Sequence, residues 1–208
     1  MLIAEISQLT GTPPATIKYY VREGLLRQGT RLAGNRTEYG EEHVRRLRLI
    51  RALLEVGQLS ISTAAEVIAV LDQADAPIGH AFSIAQDALA RSSVSGVAQP
   101  SEAALARIDS LASRAGWQSC GDNVGRGVAA RVIDAYTGAG FPLSDDYLDH
   151  YASAATLAAE ADLSAVAEQD GRSRMIELMV IGTVLSDTLA VGLRRMAQAE
   201  VTSARGLI

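Results

Sequence analysis

The chain has one cysteine among its 208 residues and few aromatic side chains. A single thiol, Cys120, cannot form a disulfide within the chain, so nothing here requires an oxidising compartment. Met1 leads directly into an amphipathic segment, without the basic start and apolar core of a secretion signal. The longest apolar run, Ile176 to Leu193, is interrupted by Glu177 and Asp187 and is short and polar for a membrane span. We expect a cytoplasmic protein that does not interact with membranes.

Signatures of catalysis and metal binding are also missing from the sequence. There is no Gly-rich phosphate loop, no nucleophile beside a general base and no recognisable pair of catalytic carboxylates. Cys120 and three scattered histidines cannot form a tetrahedral thiolate site, so we interpret Cys120 as a structural residue. A cysteine supplied by each protomer of a dimer, or oxidation of the single thiol, remains open. We expect no enzymatic activity, no metal and no cofactor.

The charges are unevenly distributed along the chain. Residues 1–55 hold nine Lys/Arg against six Asp/Glu, whereas residues 56–208 hold ten against eighteen. Eighteen of the nineteen cations are arginine, which is suited to bidentate contacts with phosphate. This asymmetry predicts a basic module that faces an anion, joined to an acidic module. The abundance of Ala and Leu favours packed helices, so we expect a mainly α fold.

The basic module begins with two short helical patterns. Apolar residues three apart predict a first helix near Ala4–Gln8, ended by Gly11. We predict Thr12 as the N-cap of a second helix that reaches Glu23 and is stopped by Gly24. Two short helices joined by a tight turn form a helix-turn-helix.

The next segment lacks a helical period and then returns to one. Glycines and arginines between Leu26 and Tyr39 predict a basic hairpin, or wing. A third helix begins at Glu41-Glu42 and ends at Gly57, with arginines at 45, 48 and 51 along one side. A fourth helix, capped by Ser60 or Ser62, extends to about Leu71.

Two stretches carry a resemblance to a known family: IAEISQLTGTPPATIKYYVREGLL and, after the short wing, EYGEEHVRRLRLIRALLEVGQLSI. Together they resemble the DNA-binding domain of the MerR family of bacterial transcriptional regulators, over residues 2 to about 71. The resemblance implies a winged helix-turn-helix that binds a pseudo-palindromic site in double-stranded DNA as a homodimer. It also implies action with RNA polymerase at promoters whose spacer is unfavourably long, through distortion of the DNA.

The resemblance also implies a set of DNA-facing residues. Thr16, Lys18 and Tyr19 match groove-facing positions, with Lys18 where arginine is more usual, and Arg22 matches a position near the backbone. The wing of the family often reads Gly-Tyr-Arg-x-Tyr; aligned on Tyr39, its arginine position holds Thr37 here. We therefore choose Arg36, and then Arg31, as phosphate contacts. The full expected set is Thr12, Ala15, Thr16, Lys18, Tyr19, Arg22, Arg31, Arg36, Tyr39 and Arg45.

The remainder of the chain reads as helical. We predict a DNA-binding domain over residues 1–72, a linker over 73–100 with a short helix at Ala81–Arg91, and an all-helical dimerisation and effector-binding domain over 101–208. Helices are expected from Ser101 and near Val124–Thr137, Ser144–Glu168 and Arg172–Gln198. Five aromatic residues of this domain line a pocket for an apolar or cationic effector, or are ordinary core: Trp117, Tyr136, Phe141, Tyr147 and Tyr151.

Two further patterns in the second half leave alternatives open. Asp146 and His150 are four residues apart on one helix face, a spacing that a metal could use, although Ser144 capping a helix with acidic residues in its first turn explains the same pattern. The segment Met175–Met196 is apolar on almost every side and must be buried inside the domain or across a subunit interface. Leu105–Ala112 is the competing dimer surface.

The sequence thus favours a DNA-binding transcription regulator and leaves open whether it responds to an effector. An architectural or recombination accessory protein with the same winged fold and no effector is the alternative. A small helical enzyme with a DNA-binding head is a third hypothesis, and it depends on Asp146 or His150 having a catalytic role.

Overall fold

The computed structural model describes residues 1–32, 36–72, 79, 83–87, 98–118 and 121–206. The fold is mainly α, with one small two-stranded sheet in the described part of the chain. It divides into two compact units: Met1–Pro77 together with Val180–Ile208, and Ile78–Met179.

The first unit contains α1, α2, the strands β1 and β2, α3 and α4. Their bounds are Ile3–Thr10, Pro14–Arg22, Thr30–Leu32, Arg36–Glu38, Glu41–Arg51 and Ile61–Leu71, and α3 continues as a π-helical turn, Ala52–Val56. The second unit contains α5, α6 and α7, at Glu102–Arg114, Val124–Gly138 and Asp145–Ala167. The last helix, α8 (Arg172–Ala204), begins in the second unit and continues in the first. The mainly α fold with a hairpin wing is therefore confirmed.

Glycines end the first two helices, as the sequence predicts. Gly11 follows α1 with φ of 66° and Gly24 follows α2 with φ of 77°, a left-handed conformation that glycine adopts without a Cβ clash. The prediction that Thr12 caps α2 is wrong. Pro13 is the N-cap and Pro14 the first helical residue, and the Thr12 hydroxyl is buried without a hydrogen-bond partner among the described residues.

The core of the first unit forms between the helices of the helix-turn-helix and the two that follow. Ile6 of α1, Ile17 of α2, and Leu47 and Ile50 of α3 have no exposed surface. Burying such side chains is worth about 1.5–3 kcal/mol each, so this cluster is a substantial part of the stability of the unit. Ser60, rather than Ser62, caps α4 by accepting a hydrogen bond from the Thr63 N–H at 3.1 Å.

The second unit is a helical bundle around α5. Its core includes Ala104 and Leu111 of α5, Ala130 and Ile133 of α6, and Leu148 of α7. Side chains cap each of these helices: Ser101 for α5, Asn123 for α6 and Ser144 for α7. The described part of the predicted Ala81–Arg91 helix is residues 83–87, which are helical; the rest lies outside the described residues.

The long helix α8 is only partly buried. Val180 and Val184 are 0% and 1% exposed, whereas Leu189, Leu193 and Met196 are 60%, 55% and 71% exposed. Of the two alternatives for this apolar segment, burial within the chain does not hold for its second half, and burial across a subunit interface stays a prediction. By length and composition alone α8 could cross a membrane, a criterion that core helices of soluble proteins also meet.

Candidate nucleic-acid interface

Helix α2 has one buried side and one exposed side. Ile17 and Tyr20 point into the core at 0% and 8% exposure. Ala15, Lys18 and Arg22, spaced three and four residues apart, lie together on the exposed side. The helix thus presents a cationic stripe away from the core that holds it, which is the arrangement needed for a helix to enter a DNA groove.

Tyr19 lies beside that stripe and is half-buried. Its ring is 5.1 Å from the Arg22 guanidinium carbon, a cation–π distance, and 6.0 Å from the Tyr20 ring. Burial is the largest cause that raises the pKa of Tyr20, with the negative charge of Glu55 adding to it. Tyr20 is therefore a neutral packing residue, and Tyr19 is the tyrosine that restricts the Arg22 side chain.

The beginning of α2 offers backbone donors. The first helical hydrogen bond runs from the Ile17 N–H to the Pro13 carbonyl at 3.0 Å. The N–H groups of Ala15 and Thr16 therefore have no acceptor within the helix. Donors at a helix N-terminus favour anions such as phosphate, because the helix dipole points its positive end there. This end and the exposed Lys18 make the first two turns of α2 the most anion-attracting part of the helix.

The structure sorts the arginines of the basic module into paired and unpaired groups. Arg27 and Arg46 both bind the Asp72 carboxylate, the former at 3.1 Å. Arg51 forms two hydrogen bonds of 2.8 Å with the Glu55 carboxylate. In the described part of this module, the cations with no acidic partner are Lys18, Arg31, Arg36, Arg45 and Arg48, and four of these five were expected from the sequence. Arg22 pairs with the adjacent Glu23 at 3.5 Å, but this ion pair is exposed and therefore weak, so Arg22 can exchange it for an external anion.

Arg51 has a further role that the sequence did not reveal. Its Nη1 donates a 2.6 Å hydrogen bond to the carbonyl oxygen of Thr10, the last residue of α1. Arg51 also lies so close to Gly11 that a Cβ there would be 3.1 Å from Nη1. The four-residue spacing of Arg51 and Glu55 indicates an ion pair along one helix. The contact of that pair with the turn between α1 and α2 is visible only in the folded structure.

The wing is a two-stranded antiparallel ribbon. Its pairs are Thr30 with Glu38, Arg31 with Thr37, and Leu32 with Arg36. Directly paired residues share a face and successive residues alternate, so Arg31 and Arg36 lie on opposite faces. Arg31 shares its face with Thr37, the position where the resemblance implies an arginine. Residues 33–35, between the strands and including Asn35, lie outside the described residues.

Two members of the expected DNA-facing set are buried. Thr12 is 3% exposed and Tyr39 is 6% exposed. The Tyr39 ring packs edge-on against His43 at 5.2 Å, and burial raises the pKa of its phenol. Because both side chains are in the core, neither can contact a ligand on the surface without rearrangement. Their roles in this structure are to support α2 and the wing.

Four of the five aromatic residues suggested for an effector pocket are exposed. Phe141 is 73% exposed, and Tyr136, Tyr147 and Tyr151 are each at least 39% exposed. Tyr147 and Tyr151 stack at 4.8 Å between ring centroids, and a hydrogen bond with Tyr151 is the first cause that raises the pKa of Tyr147 to about 12. These four residues are exposed aromatics near the start of α7 and the end of α6.

Trp117 occupies a different environment from the other aromatics. It packs against the core of the bundle, and its Nε1–H donates a 3.1 Å hydrogen bond to Thr156 Oγ1. A shallow depression beside it is lined by Asp109, Ala112, Ser113, Gly116, Gln118 and Gly121. Trp117 is therefore mainly a core residue with one side on a surface depression.

The acidic segment at the start of α7 is occupied by internal contacts. Asp145 binds Arg107 at 2.7 Å and Asp149 binds Arg114 at 2.7 Å, which fastens α7 to α5. His150 Nδ1 lies 2.7 Å from the carbonyl oxygen of Asp146 and 3.7 Å from its carboxylate, on the same helix. No group of three His, Cys, Asp or Glu residues that could hold a metal occurs in the described part of the chain. Cys120 and His80 lie outside the described residues.

Comparison with known proteins bears directly on the first unit. Residues 1–71 match the family described as MerR HTH family regulatory protein. The chain is also similar to a solved structure, described as the "putative transcriptional regulator SCO5550 from Streptomyces coelicolor A3(2)". The identity is 29%, the TM-score is 0.73, and the likeness covers 99% of this chain and 97% of the other. No curated protein matches. Residues 1–71, which hold the winged helix-turn-helix of the first unit, are thus similar to the DNA-binding domain of the MerR family.

Proposed function

We propose that the protein is a cytoplasmic, non-enzymatic transcription regulator that binds a pseudo-palindromic promoter site as a homodimer. The observation that carries the proposal is the exposed stripe of Ala15, Lys18 and Arg22 on α2, within a domain similar to that of the MerR family. That stripe lies on the side of α2 opposite Ile17, which is fully buried. A rigid cationic helix of this kind fits the major groove of B-DNA.

The side chains of α2 divide by the chemistry that each can offer to DNA. Lys18 can donate to guanine O6 or N7, while the methyl groups of Ala15 and Thr16 can contact a thymine methyl. To Arg22, whose guanidinium lies 5.1 Å from the Tyr19 ring, we assign a backbone phosphate at the far end of the helix. Sequence discrimination therefore depends on the first two turns of α2, and orientation depends on its last turn.

The wing contributes through Arg36. Arg31 and Arg36 are both exposed, on opposite faces of the ribbon, and Thr37 beside Arg31 is partly buried. Arg36 has no acidic partner among the described residues. We assign it a phosphate contact, with Arg31 in a secondary role and Arg45 and Arg48 of α3 as further phosphate contacts.

The positions at which the dimer binds DNA suggest how it would regulate transcription. A dimer that grips two half-sites about 34 Å or a multiple of that apart can bend or untwist the intervening promoter and so alter its use by RNA polymerase. An effector, if one acts, is expected at the second unit. The exposed aromatics Tyr136, Phe141, Tyr147 and Tyr151 and the depression beside Trp117 are the candidate contacts there.

The proposal is tested by selecting bound duplexes from a random library and from the DNA upstream of the protein's own gene. We expect one enriched inverted repeat, and altered transcription from its promoter with purified RNA polymerase. Enrichment of bent or distorted DNA without a sequence motif, and with no effect on transcription, would instead indicate the architectural alternative. Failure to enrich any duplex would refute DNA binding itself.

A further inference from the structure

Arg27 lies in the short segment between the two elements assigned to DNA, α2 and the wing. It follows the end of α2 and precedes β1. Leu25 and Leu26, directly before it, are 1% and 2% exposed, and their N–H groups donate to the carbonyl oxygen of Tyr20 in α2, at 2.9 and 3.2 Å. The backbone that leads into Arg27 is thus anchored to α2, while the Arg27 side chain is 74% exposed.

One carboxylate binds Arg27 together with a second arginine. Asp72 Oδ1 accepts a 3.1 Å hydrogen bond from Arg27 Nη2 and another hydrogen bond from Arg46 Nη2. Because both arginines bind the same oxygen through one nitrogen each, neither forms with Asp72 the bidentate contact that makes arginine–carboxylate pairs strong. Arg51 and Glu55, with two bonds of 2.8 Å, form such a contact in the same unit. The contact of Asp72 with Arg27 is therefore weak by comparison.

The two arginines differ in how easily each can leave Asp72. The Arg46 side chain is 19% exposed, and its Nη1 is buried without a hydrogen-bond partner among the described residues. Losing Asp72 would leave this mostly buried cation without its ionic partner, which is strongly unfavourable. Arg27 is largely exposed, so water or an external anion can replace the carboxylate with little loss of stability. Asp72 is thus a fixed partner of Arg46 and an exchangeable partner of Arg27.

The position of Asp72 at the end of α4 is unfavourable for a negative charge. Asp72 is the C-cap of that helix, where unpaired carbonyl groups already carry partial negative charge, and the last turn of α4 contains no basic residue. The compensating positive charge comes from Arg27 and Arg46, which belong to other elements of the unit. The charge of Asp72 is therefore matched to the two arginines and not to its own helix.

We propose that Arg27 is a further contact with the DNA backbone, and that Asp72 masks it in the free protein by occupying the place of a phosphate. When DNA binds, a backbone phosphate takes the Arg27 guanidinium, and Asp72 stays with Arg46. A phosphate presents several oxygens to the planar fork of an arginine, so it can form the bidentate contact that the shared Asp72 oxygen does not provide. The inference rests on the proposed function, because the phosphate belongs to the bound duplex.

The strength of an exposed ion pair sets the expected size of the masking effect. Such pairs change an equilibrium by up to about fivefold, so removing the competing carboxylate should raise the affinity for DNA by about two- to fivefold. Removing Arg27 itself should lower the affinity and reduce the slope of log K against log salt by about 0.9, the value for one phosphate contact. Both effects should be the same for the selected site and for random duplex, because a backbone contact carries no sequence information.

The test is a double-mutant cycle on the full chain: wild type, Arg27→Ala, Asp72→Asn and the two changes combined. Binding to a random duplex is measured by fluorescence anisotropy at several salt concentrations. We expect Asp72→Asn to bind about two- to fivefold more tightly than the wild type, and to give no gain once Arg27 is absent. An equal gain in both backgrounds would show that Asp72 acts by general charge repulsion and would overturn the proposal, as would Arg27→Ala with wild-type affinity and salt slope.

Two control variants accompany the cycle. Arg27→Lys keeps the positive charge, so it should retain the salt slope while losing part of the affinity that depends on the arginine fork. Glu41→Gln removes an exposed negative charge from α3, and its effect should be the same with and without Arg27. Asp72→Asn keeps an oxygen acceptor for Arg46, and thermal melts check that each variant is folded. If Asp72→Asn does not fold, the salt slope of Arg27→Ala still decides whether Arg27 contacts DNA.

A final arm separates a DNA phosphate from a free phosphate ion. Inorganic phosphate is added to the chain without DNA, and we expect the Tm of the wild type and of Arg27→Ala to respond alike. A phosphate-dependent rise in Tm that Arg27→Ala abolishes would overturn the proposal in favour of a free-ion site. Failure of the inference is also distinguishable from failure of the proposed function: a wild type that binds no duplex contradicts both, whereas binding that Arg27→Ala leaves unchanged contradicts only the inference.

Discussion

Arg51 Nη1 donates a 2.6 Å hydrogen bond to the carbonyl oxygen of Thr10, joining two residues that are 41 positions apart in the sequence. The same guanidinium group is held by two 2.8 Å hydrogen bonds from Nε and Nη2 to Glu55. The Glu55 carboxylate thus orients a cation that covers the end of α1 and the turn before α2. This contact links the third helix to the geometry of the helix-turn-helix.

Removal of that link should loosen the turn without removing a DNA contact. We predict that Arg51→Ala lowers the Tm and the affinity for specific DNA together, because α2 is less well oriented on its core. Arg48→Ala is the matched control for stability: Arg48 is exposed on the same helix with no acidic partner among the described residues, so its loss should leave the Tm unchanged and lower only the affinity for DNA, through the phosphate contact assigned to it. Thermal melts and fluorescence anisotropy measure the two quantities. Arg51→Ala with wild-type Tm and affinity would contradict this role.

Lys18 and Arg36 should affect DNA binding in different ways. Lys18→Ala is expected to lose about 1–3 kcal/mol of discrimination between the selected site and random duplex, because its contact is with a base edge. Arg36→Ala should weaken binding to both DNAs alike and reduce the slope of log K against log salt by about 1. Salt titrations with both duplexes measure these effects.

Arg31→Ala serves as the control for Arg36→Ala, because the two arginines lie on opposite faces of the same ribbon. We expect a smaller loss of affinity for Arg31→Ala. The reverse order would show that the face shared with Thr37 is the one that contacts DNA. Equal losses would mean that the ribbon does not bind by one face.

Gly57 tests the packing of α8 on the first unit. An added Cβ would be 2.4 Å from Val184 Cγ1 and 2.8 Å from the Leu53 carbonyl, so Gly57→Ala should destabilise the fold by about 1–3 kcal/mol. Gly182→Ala is the control: its Cβ meets nothing within 4 Å, and alanine favours the helix by up to about 1 kcal/mol. Urea unfolding of both variants measures the difference. If Gly57→Ala were as stable as the wild type, α8 could not be packed there as described.

Because of Asp134, the stability of the second unit should depend on pH in the acid range. The hydroxyl of Ser101 donates to one oxygen of Asp134 at 2.6 Å and the Ser101 N–H donates to the other at 2.7 Å, and these bonds lower the pKa of the carboxyl, the hydroxyl bond being the larger cause. A lowered folded-state pKa contributes stability above the usual value of 3.8, and that contribution is lost as the pH falls through the folded value.

We therefore predict that Asp134→Asn lowers the Tm near neutral pH and flattens its fall between about pH 5 and pH 2. Asp170→Asn, on the exposed loop before α8, is the control and should keep the wild-type profile. Melts recorded across this range decide the matter. An unchanged acid limb in Asp134→Asn would show that the Ser101 contacts do not persist in solution.

Much of the first unit could be predicted from local signals in the sequence. Gly11 and Gly24 mark helix ends because only a residue without a Cβ adopts a positive φ at no cost. Ser60 and Ser144 mark helix starts because a serine oxygen accepts a bond from an early helical N–H. Thr12 is also a favourable N-cap residue, but it does not cap α2. The two prolines that follow it shifted the cap by one residue, and its side chain was buried by tertiary packing.

Other features depend on contacts that no local pattern specifies. The binding of Arg27 and Arg46 by Asp72 spans up to 45 positions, so the sequence could not show which arginines are neutralised. Four of the five unpaired cations belong to the DNA-facing set expected from the sequence. They were chosen from the helical pattern and from their positions in the resemblance to the family. For Met175–Met196 the sequence predicts burial inside the domain or across a subunit interface, and it cannot distinguish the two because an apolar surface does not specify which chain covers it.

The most direct test of the central claim is methylation protection of the selected duplex by the full chain, because dimethyl sulfate modifies guanine N7 in the major groove. The account predicts protected guanines in two half-sites, lost at specific positions in Lys18→Ala while Arg36→Ala keeps the same pattern at higher protein concentration. A chain that protects no guanine in any duplex at low salt, even where it binds, would contradict the insertion of α2 into the major groove.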